Sequence, residues 1–338
     1  MFFTNIWELS EYTIDLGIKI GIFATAFGLF MGVLSFFVAS YCVYVSVLCR
    51  NKTGKWGRAP STDEPAYIEL YSEGMNWHRE NIARMEPVHI MNEGLNLYGE
   101  YYKFGGEQCV IILPGRSESL CYSYFFAAPY AESGCDVLVI DPRSHGLSDG
   151  EFSTCGFEES KDIIAWAEFV HVKYGVKNII LHGICIGAAG GMHAITSENC
   201  PEYISAIVTD GMFSNFNNIM KAHLMERKKP TVFMLDLIDM WMKRYTNHSM
   251  KYGPIDVIGK LDKPILMMHG RQDIFSLPEY AEEMYNICGS DRKTFVWFDE
   301  GTHSMLRALD TQKYDSVIKN FLWENFEIGQ QCLLCQST

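Results

Sequence analysis

One stretch constrains this chain more than any other: Leu181-His182-Gly183-Ile184-Cys185-Ile186-Gly187-Ala188-Ala189-Gly190-Gly191. Before it runs Lys177-Asn178-Ile179-Ile180, short, apolar and strand-forming; after it Met192, Ala194 and Ile195 recur at helical spacing. The pattern predicts strand, sharp turn, helix. Glycines two before and two after the central residue match the elbow pattern G-x-S-x-G. They have a physical task, because the turn strains the central residue and side chains on its neighbours would strike the adjoining strand and helix. The single departure is Cys185 in the place of serine. The functional reading turns on whether that sulfur does chemistry.

Around the elbow, strands alternate with helices. Val88–Ile90 and Leu95–Tyr102 read as paired strands joined through Asn92-Glu93-Gly94. Cys109–Leu113 and Cys135–Ile140 are continuous apolar runs, as expected of strands buried on both faces. Ile204–Thr209, Pro264–Met268 and Thr294–Phe298 continue the series. Helices are expected over 119–132, 158–172, 278–288 and 309–326, the second with Ile163, Ala167 and Val170 on one face. This alternation implies a parallel sheet wound by right-handed crossovers. Residues 213–260 interrupt it. They are rich in Met, Phe and Trp, helical in period and moderately basic, and read as an insertion above the sheet.

Four further turns follow predicted strands: Leu113-Pro114-Gly115-Arg116-Ser117-Glu118-Ser119, Asp141-Pro-Arg-Ser-His145-Gly146-Leu-Ser148-Asp-Gly150, Met268-His269-Gly270-Arg271-Gln272-Asp273 and Glu300-Gly301-Thr302-His303-Ser304. With the elbow among them, residues 86–326 resemble the α/β-hydrolase superfamily. The first turn looks most like the lysophospholipase and monoacylglycerol lipase group, which is serine aminopeptidase-like. The resemblance implies an α/β-hydrolase fold over 85–330: a mostly parallel, eight-stranded twisted sheet flanked by helices, with a small helical lid at 213–260.

A nucleophile needs a base to take its proton, and the base needs an acid to fix its tautomer. In the superfamily these follow in the order nucleophile, acid, histidine. Cys185, Asp273 and His303 stand in that order, each on a turn after a strand, and such turns converge at one end of a parallel sheet. By resemblance, the backbone N–H groups of Arg116 and Ile186 form the oxyanion hole, where losing one donor costs about 3–4 kcal/mol. The helix after Cys185 turns its positive end toward the sulfur and favours the thiolate. Dienelactone hydrolases, of the same superfamily, use cysteine at this position. His145 and His182 read as structural, and Ser117 and Ser119 as turn residues.

Phe213, Phe216, Met220, Met240 and Trp241 of the lid read as substrate-binding. The expected reaction is acyl transfer from an apolar ester or thioester to water, through an acyl-cysteine; no metal or organic cofactor is implied. Two other readings stay open. In one, Cys185 is a small buried residue of a non-catalytic binding protein. In the other, the chain is a peptidase, although no acidic cluster suited to an α-amine is present.

Ile20 to Cys49 contains no Asp, Glu, Lys, Arg or His, and exceeds the ~20 residues needed to cross a bilayer. It reads as a transmembrane helix behind a leader, 1–19. Residues 50–84, with Gly54, Gly57 and Pro60, read as a linker, which makes the anchor separable from the domain. Residues 331–338 read as a tail. Arg50, Lys52, Lys55 and Arg58 follow the span, whereas only Lys19 closely precedes it. This charge bias predicts a single-pass protein with its large domain in the cytoplasm. A net charge of −13 without a basic stripe excludes nucleic acid as a partner. The 11 cysteines show no zinc-like spacing. Cys335-Gln-Ser-Thr lacks the aliphatic centre of a prenylation box, so no prenyl group is expected there; palmitoylation of Cys332 or Cys335 would add a second membrane attachment.

The orientation predicts that the sequons Asn51-Lys-Thr and Asn247-His-Ser stay unmodified in a eukaryotic host. A gel shift reversed by endoglycosidase, and lost with Asn247→Gln, is the result that overturns it.

Overall fold

A computed structural model describes residues 2–50, 56–60 and 63–329, with side chains from residue 13 onward. Asn51, Cys332 and Cys335 therefore lie outside the described residues. The strands are β1 Met85–Asn92, β2 Leu95–Tyr102, β3 Gln108–Leu113, β4 Asp136–Ile140, β5 Asn178–Ile184, β6 Ile204–Asp210, β7 Ile265–Gly270 and β8 Lys293–Phe298. They form one eight-stranded sheet in the order β1-β2-β4-β3-β5-β6-β7-β8. β1 and β2 pair antiparallel, β2 meets β4 antiparallel, and every pairing from β4 to β8 is parallel. From β3 the chain steps outward one way to β4 and then the other way to β5. Such a reversal opens a crevice at the carboxyl ends of the two central strands, where ligands bind in open α/β sheets.

The helices are α1 Phe2–Leu48, α2 Pro65–Asn81, α3 Leu120–Ser123, α4 Ala128–Glu132, α5 Phe157–Tyr174, α6 Ile186–Ile195, α7 Phe216–Glu226, α8 Met234–Thr246, α9 Pro278–Ile287, α10 Leu306–Leu309 and α11 Thr311–Phe326. Both faces of the sheet are covered. In β3, Val110 and Ile112 join one core cluster, and Cys109, Ile111 and Leu113 join the other. That alternation is the period-2 geometry of a strand. The expected helix over 119–132 is instead broken into α3, a 3₁₀ turn at Tyr124–Phe126, and α4. Pro129 has no N–H to offer the Phe125 carbonyl. Arg307 Nη1 donates to that carbonyl instead, at 2.6 Å.

The reading of 50–84 as a linker is corrected. α2 starts at Pro65, which is well suited to the first helical turn, and presents Tyr67, Leu70, Tyr71, Gly74 and Trp77 inward at helical spacing. Gly74 permits the close approach, because a Cβ there would sit 3.0 Å from the Phe125 nitrogen. Arg58, before the helix, reaches the Asp141 carboxylate at 3.2 Å, and its carbonyl accepts the Tyr71 hydroxyl at 2.6 Å. Composition hid this. Gly and Pro surround a segment whose inward stripe is largely aromatic.

The separable anchor is corrected as well. α1 is continuous through the expected leader, and its apolar stretch Thr13–Leu48 is long enough to cross a membrane. Its last turns belong to the domain. Tyr44 and Leu48 are fully buried. The Phe37 and Tyr41 rings lie 4.7 and 4.9 Å from Trp241, Tyr44 stacks on Tyr245 at 5.6 Å, and Trp241 Nε1 donates to Ser40 Oγ at 3.0 Å. Just past the helix, Arg50 donates to the carbonyls of Ser148 and Gly146 at 2.6 and 2.8 Å. Hydropathy alone does not distinguish residues that face lipid from residues that face the lid.

Truncation should expose the difference. Removing residues 1–34 leaves these contacts; removing 1–52 strips Tyr44 and Leu48 from the core, at about 3–6 kcal/mol for two large apolar side chains. The shorter product should melt on the order of 10 °C lower in the same detergent. Equal melting temperatures would mean that the end of α1 contributes nothing to the domain.

Candidate active site

β5 runs into α6 through Cys185, whose backbone stands at φ 51°, ψ −108°. That conformation is costly for a residue with a Cβ, and only its surroundings hold it there. Gly183 and Gly187 make the surroundings possible. A Cβ on Gly183 would lie 2.3 Å from the Ala188 Cα, and one on Gly187 would lie 2.1 Å from the Leu113 carbonyl oxygen. The Cys185 N–H donates to the Asp210 carbonyl at 2.9 Å, which ties the elbow to the end of β6. The thiol thus sits over the crevice between β3 and β5. Ile186 is the first residue of α6, so its N–H has no partner within the helix and points with the positive helix end toward the same place.

The structure brings Asp273 and His303 together. His303 Nδ1 lies 2.7 Å from Asp273 Oδ2. A carboxylate only accepts, so Nδ1 carries the proton and Nε2 is left for the other side of the ring. Cys185 lies close enough to the ring to raise its pKa. The Asp273 Oδ1 accepts the N–H groups of Phe275 and Ser276, at 2.9 and 2.8 Å, which fixes the carboxylate in one orientation. Burial alone would lower the His303 pKa, but the Cys185 sulfur and the Asp273 carboxylate outweigh it and hold the ring well above its ordinary value. Burial would likewise raise Asp273, and the facing imidazole brings it below the usual carboxylate range. Gly211, at φ 59°, leaves room for this pair, with a built Cβ standing 3.6 Å from His303 Nδ1.

Arg116 and Ile186, expected as oxyanion donors, lie after β3 and after β5, the two strands that flank the crevice. Glu118 has no role legible in the sequence of the first turn, and the structure gives it one. Its Oε2 accepts the Gly115 N–H at 2.8 Å and closes the turn that carries Arg116. Burial pushes this carboxyl up to about 7. The only sequence signal was its place three residues after a turn glycine. Asp210 was also missed. It is buried beneath the elbow, accepts the Tyr314 hydroxyl at 2.9 Å and is raised to about 7 by burial.

His145 stacks on Trp56 at 4.3 Å and His182 lies 3.0 Å from the Tyr314 hydroxyl; burial lowers them to about 4 and about 3. Both sit in the packing. Ser117 accepts a hydrogen bond from Arg116 Nη1 at 3.2 Å, as a turn residue can, and Ser119 is buried before α3. The lid residues divide. Phe213, Phe216 and Met220 are buried in the same core cluster as Cys185. Met240 and Trp241 are corrected: Met240 is 39% exposed, and Trp241 packs on Phe37 and Tyr41 of α1. Helical period gave the spacing of these side chains but not the neighbour each meets.

Comparison with known proteins agrees with the architecture. Residues 108–248 match the family model described as the alpha/beta hydrolase fold. The protein YqkD of Bacillus subtilis is 24% identical over 216 residues, 63% of this chain and 70% of that one. Protein bem46 of Schizosaccharomyces pombe is 26% identical over 197 residues, 58% of this chain and 60% of its own length. Among solved structures, the esterase Pf2001 of Pyrococcus furiosus superposes with a TM-score of 0.62 at 19% identity, covering 73% of this chain and 95% of that one.

The elbow clearance is testable by stability. Gly187→Ala forces a methyl group into the end of β3 and should cost about 3 kcal/mol or more. Gly94→Ala, at φ 81° with open space around it, should cost about 1–2 kcal/mol. Chemical denaturation of the two variants in parallel checks the order; a Gly187→Ala protein as stable as the parent contradicts the packing described here.

Proposed function

We propose that this chain, with its α/β-hydrolase fold, is a membrane-anchored hydrolase that cleaves an ester or thioester of an apolar acyl group. One observation carries the proposal: the strained Cys185 heads α6 close to His303, and His303 is hydrogen-bonded to a buried Asp273. In this reading the sulfur attacks the acyl carbon after His303 Nε2 takes its proton. The carbonyl oxygen becomes an oxyanion held by the N–H groups of Arg116 and Ile186. His303 returns the proton to the leaving alcohol or thiol as the bond to it breaks, and an acyl-cysteine remains. Water, deprotonated by His303, then attacks that thioester. The acid leaves, and the thiol takes its proton back from His303. Asp273 holds the tautomer throughout.

The raised pKa of His303 supports a resting imidazolium beside the Cys185 sulfur, placed to assist its attack. Phe213, Phe216 and Met220 support an apolar acyl chain. The likeness of Leu113–Ser119 to lysophospholipases and monoacylglycerol lipases, together with α1, supports a monoacyl lipid-like substrate, cleaved by a single-pass protein whose domain faces the cytoplasm.

The experiment is alkylation of the full-length protein in detergent by iodoacetamide at pH 6, with turnover of an acyl thioester measured in parallel. An ordinary thiol of pKa about 8.5 is under about 1% ionised there. Below the raised His303 pKa the ring is an imidazolium beside the Cys185 sulfur, and Cys185 should label at least tenfold faster than the other thiols. His303→Ala should remove that advantage. Asp273→Asn should keep the fold and lose on the order of 10⁴ in turnover, as in serine triads. Cys185→Ser should retain part of the activity. Slow Cys185 labelling at pH 6, with hydrolysis unchanged in Cys185→Ala, leaves a non-catalytic binding protein. Hydrolysis of aminoacyl amides in preference to esters replaces the esterase reading with the peptidase one.

A further inference from the structure

The tip of the lid joins α7 to α8 and has a composition unlike the rest of this acidic chain. Met225, Val232 and Phe233 are exposed, the last two at 70% and 71%. Between them stand Arg227, Lys228 and Lys229, all exposed, with Glu226 as the one acid. Three cations beside two protruding apolar side chains is the make-up of a surface that meets anionic lipid headgroups.

The packing of α8 on α1 says where this tip lies. Phe37 and Tyr41 meet Trp241, and Tyr41 and Tyr44 meet Tyr245. A step forward in α1 matches a step forward in α8, so the two helices run in the same direction. Phe233 comes eight residues before Trp241. At 1.5 Å per residue it stands about 12 Å along α8 toward the N-terminal half of α1. That half is the apolar stretch, with Phe23, Phe27, Leu29 and Phe30 exposed.

The limits of a bilayer can be read on the same helix. Lys19 and Asp15 pair at 2.6 Å on the exposed surface of α1. From Lys19 to Phe37 is about 27 Å of helix, close to the ~30 Å thickness of a hydrocarbon core. At the second limit Phe37, Tyr41, Tyr44, Trp241 and Tyr245 form a cluster of the kind found at membrane–water interfaces. Phe233 extends from that cluster back toward the lipid.

We infer that the lid tip, residues 225–233, is seated in the bilayer leaflet that holds the end of α1, with Val232 and Phe233 among the acyl chains and Arg227, Lys228 and Lys229 against anionic headgroups. The inference rests on reading α1 as a membrane span. The bilayer is the one occupant argued for because α8 runs parallel to α1, which sets the exposed tip at the depth of the exposed apolar half of α1, and because its three cations complement anionic headgroups. Behind the tip, Met234, Ile238 and Met242 continue inward in the same core cluster as Phe216, Met220 and Cys185. The tip is thus continuous in packing with the apolar side chains around the elbow.

The test uses the full-length protein in vesicles of phosphatidylcholine and phosphatidylserine, with the photoreactive residue benzoylphenylalanine placed singly at Phe233, Val232, Phe30 or Val172. Phe30 reports the span. Val172, 74% exposed near the end of α5, lies at the opposite end of the sheet from the elbow and reports water. After irradiation, lipid adducts are counted by mass. The expected yield at Phe233 and Val232 is at least half that at Phe30 and at least tenfold that at Val172. Replacing phosphatidylserine with phosphatidylcholine should lower the lid yields several-fold and leave Phe30 unchanged. Adducts at Phe30 with both lid positions at the Val172 level overturn the inference and leave the anchor standing. Background at Phe30 removes the anchor, and the inference with it.

Discussion

The backbone of Cys185 is the constraint on which the rest depends. A residue with a side chain is held at φ 51°, ψ −108° only because β5 and α6 meet at a spacing that Gly183 and Gly187 permit. That spacing sets how closely α6 approaches β3, whose Leu113 carbonyl is the nearest atom to a built Cβ on Gly187. It also fixes the Ile186 N–H and the sulfur on the same side of the turn. The candidate nucleophile and half of the candidate oxyanion hole are thus one piece of covalent geometry, and the order of the sheet brings the loops after β3, β7 and β8 to meet it.

Electrostatics then act in a place with little water. Asp273 is ionised and hydrogen-bonded three ways, to His303, Phe275 and Ser276, so it stays charged despite its burial. Glu118 and Asp210 have fewer partners and rise to about 7. Near pH 7 both are about half protonated, so Asp273, hydrogen-bonded to the ring, is the dominant charge on it, and Glu118 shapes the turn at Gly115.

Much of this was legible in the sequence because it follows from periods and turns. The buried runs at 109–113 and 135–140, the glycine spacing around Cys185, and the placement of Asp273 and His303 after strands are all local signals. What was not legible depends on which neighbour an apolar surface finds. α2 was hidden by the glycines and proline around it, although Tyr67, Leu70, Tyr71 and Trp77 carry an inward stripe. Trp241 lies in a lid helix and was assigned to substrate, yet it packs on α1. Tyr44 and Leu48 satisfied every rule for lipid exposure and are buried in protein. Period gives the face of a helix; only the assembled fold gives its partner.

These last residues join the parts of the chain that sequence kept apart. In the corrected picture α1 is both a helix long and apolar enough to cross a membrane and a structural wall, because its final turns pack on α8, and α8 shares a core cluster with the elbow. The ring contacts of Trp241 and Tyr245 with α1 resist any movement of α8 away from it. A swing of α8 away from α1 would wet Tyr44, Trp241 and Tyr245, at about 25 cal/mol per Å² of apolar surface exposed, so the contact holds this side of the 213–260 segment in place.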